Sequence, residues 1–125
     1  MIQQQSTLKI IDNSGAKNAK CIKILKKKKV AKIGDFIVVS ITKVKNNPNK
    51  LSKIKKGSVF LAVVVGLKTT YQKNQGTLFK INYNLICLLN KQKKLIATRI
   101  NKPISKKLKK KKMFKLASLT LAGYY

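Results

Sequence analysis

Phe36-Ile37-Val38-Val39-Ser40-Ile41-Thr42-Lys43-Val44 is the stretch that decides the fold. Ile37, Val39 and Ile41 fall on one side of an extended chain, and Val38, Ser40 and Thr42 make a mixed second side. A period of two marks a strand with one face on a core. Gly34-Asp35, just before it, is a turn. Ser58 to Val65 is apolar and β-branched almost throughout, the pattern of a strand covered on both faces. Shorter segments surround these two. Thr7 to Ile11 is a strand closed by the turn formers Asp12-Asn13-Ser14-Gly15. Lys20 to Leu25 alternates, which assigns Ile22 and Ile24 to one face with Lys23 between them. Thr77 to Ile81 and Leu85 to Leu89 are strands joined by Asn82-Tyr83-Asn84, and Leu95 to Ile100 is one more short apolar segment.

The connections are equally readable. Asn46-Asn47-Pro48-Asn49 is loop, and Gly66 to Gly76 is a polar connection with Asn74-Gln75-Gly76 at a hairpin tip. Past Pro103 the character changes. Ile104, Leu108 and Met113 recur at loosely helical spacing amid six lysines, with Ser105 as N-cap. Leu116 to Leu121 is apolar and has no clear form. Residues 1–103 therefore read as an all-β domain of six or seven short strands, a small barrel rather than an open sheet. Residues 104–125 read as a basic, partly helical C-terminal tail on the same domain.

Charge narrows the function. Thirty of 125 residues are Lys or Arg and 2 are acidic, Asp12 and Asp35, for a net charge of +28. Self-repulsion on that scale destabilises a compact chain, so a polyanionic partner is expected. With no His and no Glu, few acid/base constellations can be built, and an enzyme is not expected. Two Cys and two Asp do not readily supply a closed metal site, and no cofactor is expected. Cys21 and Cys87 sit in apolar runs and read as buried reduced thiols, with a disulfide as the alternative. The longest apolar stretch, Val59 to Leu67, is far short of the roughly 20 residues of a membrane helix. The polar start Met1-Ile2-Gln3-Gln4-Gln5 resembles neither a secretory signal nor a transit peptide, so no presequence is expected.

The lysines gather at turns, in loops and in the tail, where flexible point charges reach phosphate without reading base edges. The candidate RNA contacts are Asn13, Ser14 and Lys17 around the first turn, and Lys26, Lys27, Lys28 and Lys29 in the next connection. Lys43, Lys45, Lys50, Lys53, Lys55 and Lys56 surround the Asn-Pro loop, and Lys106, Lys109 and Lys110 lie in the tail. Aromatic residues form no stacking platform on one strand, and the four Phe are assigned to the core. Lysine outnumbers arginine 29 to 1, and Asn and Ile are abundant. This is the signature of an AT-rich genome and points to an organelle-encoded, mitochondrial protein, with a plastid or an AT-rich bacterium as alternatives. The single arginine, Arg99, suits a site needing a planar bidentate donor; a codon that has not drifted explains it as well.

Met1-Ile2-Gln3, Asp12-Asn13-Ser14-Gly15-Ala16 and Cys21-Ile22-Lys23-Ile24-Leu25 together resemble the opening of the large-subunit ribosomal protein fourteen family. Gly34-Asp35, Lys56-Gly57, Ala62-Val63-Val64-Val65, Leu88-Leu89-Asn90, Thr98-Arg99-Ile100, Pro103 and Ser118-Leu119 follow in order. The resemblance implies a closed five-stranded β-barrel with a projecting hairpin and short C-terminal helical segments. It implies a structural constituent of the large ribosomal subunit that binds large-subunit rRNA, contacts neighbouring proteins and reaches small-subunit rRNA in an intersubunit bridge. It also implies a docking surface for a ribosome silencing factor at Thr98, Arg99 and Lys115. The chain departs from the family pattern at Gly66-Leu67-Lys68, at Tyr83 and Ala97 where Gly is usual, and at Lys107 where an acid is common. Two other classes compete: a free nucleic-acid-binding module of oligonucleotide-binding type, and a membrane-active cationic protein. The latter needs a broad apolar face that only Ile104 to Phe114 hints at, and no membrane partner is expected.

Overall fold

The alternating and continuous apolar runs become strands of two kinds in the computed structural model, which describes residues 1–26, 29–46 and 54–125. In chain order these are β1 (Thr7–Ile10), β2 (Ala16–Ile24), β3 (Phe36–Val44), β4 (Val59–Gly66), β5 (Thr70–Gln72), β6 (Leu78–Lys80) and β7 (Leu85–Leu89). Two short helices follow, α1 (Lys107–Lys110) and α2 (Phe114–Ser118). Five strands close a barrel in the order β1-β2-β3-β4-β7. Neighbours are antiparallel except at the seam, where β1 lies parallel to β7 with Lys9 opposite Leu85. Closure removes the free edges that an open sheet of this size would expose. β5 and β6 form a separate two-stranded hairpin with Tyr71 opposite Phe79.

A barrel of five strands is narrow enough for side chains to fill it. Leu8, Ile10, Ala19, Cys21, Ile37, Val39, Ile41, Ala62, Val64, Ile86 and Leu88 make that interior. β3 supplies Ile37, Val39 and Ile41 at two-residue spacing, as the sequence implies. β2 does not keep its expected spacing. Register shifts against β3 fall between Asn18 and Ala19 and between Cys21 and Lys23. Each bulge puts an extra residue on the same side and moves the following inward position by one. Ala16, Ala19, Cys21 and Ile24 consequently point inward, while Ile22, expected beside Ile24, is 43% exposed.

β7 is buried on both faces, and so is β4 from Ala62 onward, whereas Val59 at its start is exposed. Their outward side chains Val63, Val65, Leu85, Cys87 and Leu89 form a second cluster with Ile100, Ile104, Leu108 and Leu116 of the C-terminal segment. The tail thus covers the barrel wall that would otherwise be apolar and wet. Leu108 is fully buried, worth about 1.5–3 kcal/mol of apolar burial on its own. The expected N-cap, Ser105, falls one residue short: α1 begins after Lys106, which makes no side-chain cap bond, while Ser105 Oγ accepts from Lys107 N–H at 3.4 Å. The chain end closes a further ladder, with Lys106 N–H donating to the Tyr125 carbonyl and Tyr125 N–H to that of Ile104. Tyr125 also lays its ring against Phe79 at 5.0 Å and Tyr71 at 5.7 Å, fixing the β5–β6 hairpin.

Both cysteines are free and buried. Cys21 faces the barrel interior and Cys87 the outer cluster, so they belong to different cores. Burial raises both thiols above their ordinary value, and the nearby Asp12 carboxylate raises Cys87 further. The assignment of all four Phe to the core fails at Phe114, which is 64% exposed, because α2 turns Leu116 and Ala117 inward instead. Among the described residues no helix is long and apolar enough to cross a membrane.

Candidate nucleic-acid interface

Each acidic side chain is used inside the fold. Asp12 is buried at the end of β1, where one carboxylate oxygen accepts from Leu88 N–H at 2.8 Å. The other oxygen accepts from Ser14 N–H at 3.1 Å and from the Ser14 hydroxyl. The carboxylate therefore continues the β1–β7 ladder after the strand has turned away. Asp35 is buried in the turn before β3 and accepts from Lys32 N–H at 3.0 Å. Lys111 reaches it from the tail, its Nζ 3.7 Å from Asp35 and 2.7 Å from the Ile33 carbonyl oxygen. Gly34 leaves the room: a Cβ there would lie 2.5 Å from Lys111 Cδ, and its φ of +84° suits glycine. With both acids buried, the exposed charged side chains of the described residues are all basic.

The polar groups of the Asp12-Asn13-Ser14-Gly15 turn are bonded within the fold, although Asn13 is exposed. Asn13 Nδ2 donates to Thr98 Oγ1 at 2.9 Å, and Asn13 Oδ1 accepts from the N–H groups of Thr98 and Arg99 at 3.1 and 3.3 Å. Asn13 N–H itself donates to the Arg99 carbonyl. The turn's polar groups thus hold the Thr98-Arg99 segment in place, and two residue sets read separately from the sequence form one unit. Ser14 is likewise turned toward Asp12.

The candidate lysines divide between the two ends of the β2–β3 ladder. Lys17 and Lys43 are exposed at one end, where Asn18 pairs with Lys43, and Lys45 is tied to Gly15 by a backbone bond of 2.8 Å. Lys55 and Lys56 are exposed in the turn that leads into β4. Lys26 and Lys29 are exposed at the opposite end. Lys27, Lys28, Lys50 and Lys53 lie outside the described residues. Lys106, Lys109 and Lys110 are exposed on the tail, with Lys109 Nζ 3.8 Å from the centre of the Tyr124 ring.

Sequence reasoning missed three lysines on the barrel wall itself. Lys20 and Lys23 are exposed along the outward face of β2, and Lys9 sits half-exposed on β1 opposite Asn18. The signal was present, since each follows or precedes an inward residue, but single lysines stand out less than runs do.

A groove of about 810 Å³ lies between the Lys93–Thr98 segment and the tail. Phe36, Leu95 and Met113 are its half-buried apolar lining, and the exposed Phe114, Lys93, Lys94 and Lys112 border it. Thr98 and Lys115 both line it, while Arg99 is exposed beside Thr98 outside the lining. No cluster of potential metal ligands occurs among the described residues.

These features agree with what comparison with known proteins returns. The family model described as ribosomal protein L14p/L23e matches residues 1–122. The large ribosomal subunit protein uL14 of Carsonella ruddii (strain PV), a bacterium, is 43% identical over 122 residues, covering 96% of this chain and 97% of that protein. The chain belongs to the ribosomal protein L14p/L23e family, and is a structural, non-enzymatic constituent of the large ribosomal subunit.

Proposed function

We propose that this chain binds large-subunit rRNA through the exposed lysines at both ends of the β2–β3 ladder and on the tail, and that it lies at the subunit interface. The observation that carries this reading is the burial of both acids: 30 basic residues meet 2 acids that are turned inward. A lysine surface without exposed carboxylates favours phosphate backbone over any partner that needs mixed charge. The free module of oligonucleotide-binding type shares the barrel and the charge, and differs only in its partner. Co-sedimentation tests the difference. The chain is expected to travel with large subunits through a salt gradient, and a chain that stays at the top overturns the reading.

The groove between Thr98 and Lys115 supports a second contact. An apolar lining with a basic border suits a protein partner that brings an acidic edge to an apolar patch. A neighbouring ribosomal protein or a silencing factor of that character would dock here, and the bridge to small-subunit rRNA would use the exposed Arg99 beside it. Arg99→Ala with Lys115→Ala is expected to reduce joined ribosomes in a sucrose gradient while large-subunit incorporation is kept. The lysine-for-arginine bias supports an AT-rich genome, and we read the ribosome as mitochondrial; the relative above is bacterial, so the genetic code of the coding gene decides.

A further inference from the structure

Asn82-Tyr83-Asn84 joins β6 to β7, and its tyrosine is 55% exposed. The other three tyrosines are half-buried. Two concavities flank the Tyr83 ring. The larger, about 460 Å³, is walled by Lys9, Lys17, Lys68 and Asn18; the smaller, about 220 Å³, by Lys80 and Lys102. Asn82 borders both. The larger falls in the range of small-ligand sites, roughly 300–1,000 Å³. Lys9 Nζ stands 4.4 Å from the centre of the Tyr83 ring. Asn84 is committed to the fold, its Oδ1 accepting from Lys68 N–H at 2.9 Å, which fixes the backbone on either side of the ring.

A second observation concerns the charges. Burial lowers Lys102 from its ordinary value, and the charge of Lys9 nearby lowers it further. Two like charges set together are unfavourable unless an anion joins them. Neither aspartate lines either concavity. The exposed Tyr83 ring thus has Lys9 over one face and Lys102 in the neighbouring concavity, with no aspartate lining either space.

We propose that Tyr83 is a stacking platform for an unpaired base of large-subunit rRNA, with Lys9 and Lys102 taking the phosphate of that nucleotide. The assignment rests on the ribosomal reading above and deepens it, naming one position and one nucleotide conformation. Lysines alone hold any polyanion; the ring is what selects a splayed single-stranded base, since every base offers a π-face and duplex bases do not expose theirs. The Asn18 and Asn82 amides border the space where the base edge would lie.

The test uses the full chain, a large-subunit rRNA transcript and an oligouridylate. Tyr83→Ala is expected to weaken transcript binding about tenfold, the scale of one aromatic–base stack, whereas Tyr83→Phe keeps wild-type affinity. Tyr83 is mostly exposed, so an unchanged thermal melt accompanies the loss. The chain has no tryptophan, so Tyr83→Trp introduces a lone indole. Its fluorescence is expected to be quenched by oligouridylate and left unquenched by inorganic polyphosphate. Equal transcript affinity for Tyr83→Ala and wild type, or an indole that oligouridylate leaves unquenched, overturns the platform while the ribosomal reading stands. A wild-type chain that does not bind the transcript overturns the ribosomal reading and the assignment together.

Discussion

β2 and β4 stand two places apart in one barrel and spend their outward faces in opposite ways. β4 turns Val63 and Val65 outward into a second apolar cluster that Ile104, Leu108 and Leu116 cover. β2 turns Lys17, Lys20, Ile22 and Lys23 outward into solvent. One wall is made of protein on both sides and the other is bare. The difference separates two jobs that a small, highly charged chain has to combine. Cohesion is concentrated where the inner side of the tail meets β4 and β7, and charge lies on the bare wall and on the outer side of the tail. The acids obey the same division: Asp12 pairs with the Leu88 amide on the covered side, and Asp35 holds Lys111 of the covering tail.

The largest test of this division removes the cover. Leu108→Ala is expected to cost about 2–5 kcal/mol in urea unfolding, because it empties a fully buried site between tail and barrel. Ile22→Ala on the bare wall should change stability by less than about 0.5 kcal/mol. Equal costs would erase the distinction. Asp12→Ala comes next, at about 1–3 kcal/mol, since the Leu88 N–H is left buried without its acceptor. Lys111→Met is expected to cost about 1 kcal/mol by thermal melting and to raise protease cleavage in the tail before the barrel unfolds, because the Ile33 carbonyl then has no ammonium to accept from. The smallest stability effect belongs to the bare wall. Lys20→Gln with Lys23→Gln should leave the melt nearly unchanged. Where both lysines meet phosphate, the logarithmic salt dependence of rRNA binding should flatten by about 0.9 for each phosphate left without its lysine.

The sequence made one wall plainer than the other. Ser58 to Val65 has no polar alternation to misread, and its expected burial on both faces holds from Ala62 onward, while Val59 at the start of β4 is exposed. β3 alternates strictly and was equally plain. β2 was not, because a bulge has no residue signature of its own and a strict period of two carried Ile22 inward. β5 was hidden for a related reason: Thr70–Gln72 is short and polar, and it is held by pairing with β6 and by the Tyr71–Tyr125 contact rather than by its own pattern. The lysine runs were visible as charge, but charge alone does not say which lysine is structural. Lys111 is recognised only by the Gly34 gap and the Asp35 carboxylate that receive it. The link from Asn13 to Thr98 and Arg99 joins residues far apart in the chain, and only the closed barrel brings them together.

The parallel seam between β1 and β7 bears on the order of events during synthesis. β1 is made before its seam partner, and Leu85–Ile86 follows only after β2, β3 and β4. Until then the barrel is an open ribbon with two unpaired edges, and closing it demands a large loop, which slows folding. Over the same interval the lysines accumulate with almost nothing to neutralise them. An anion that gathered those charges would ease the repulsion while the seam is still open.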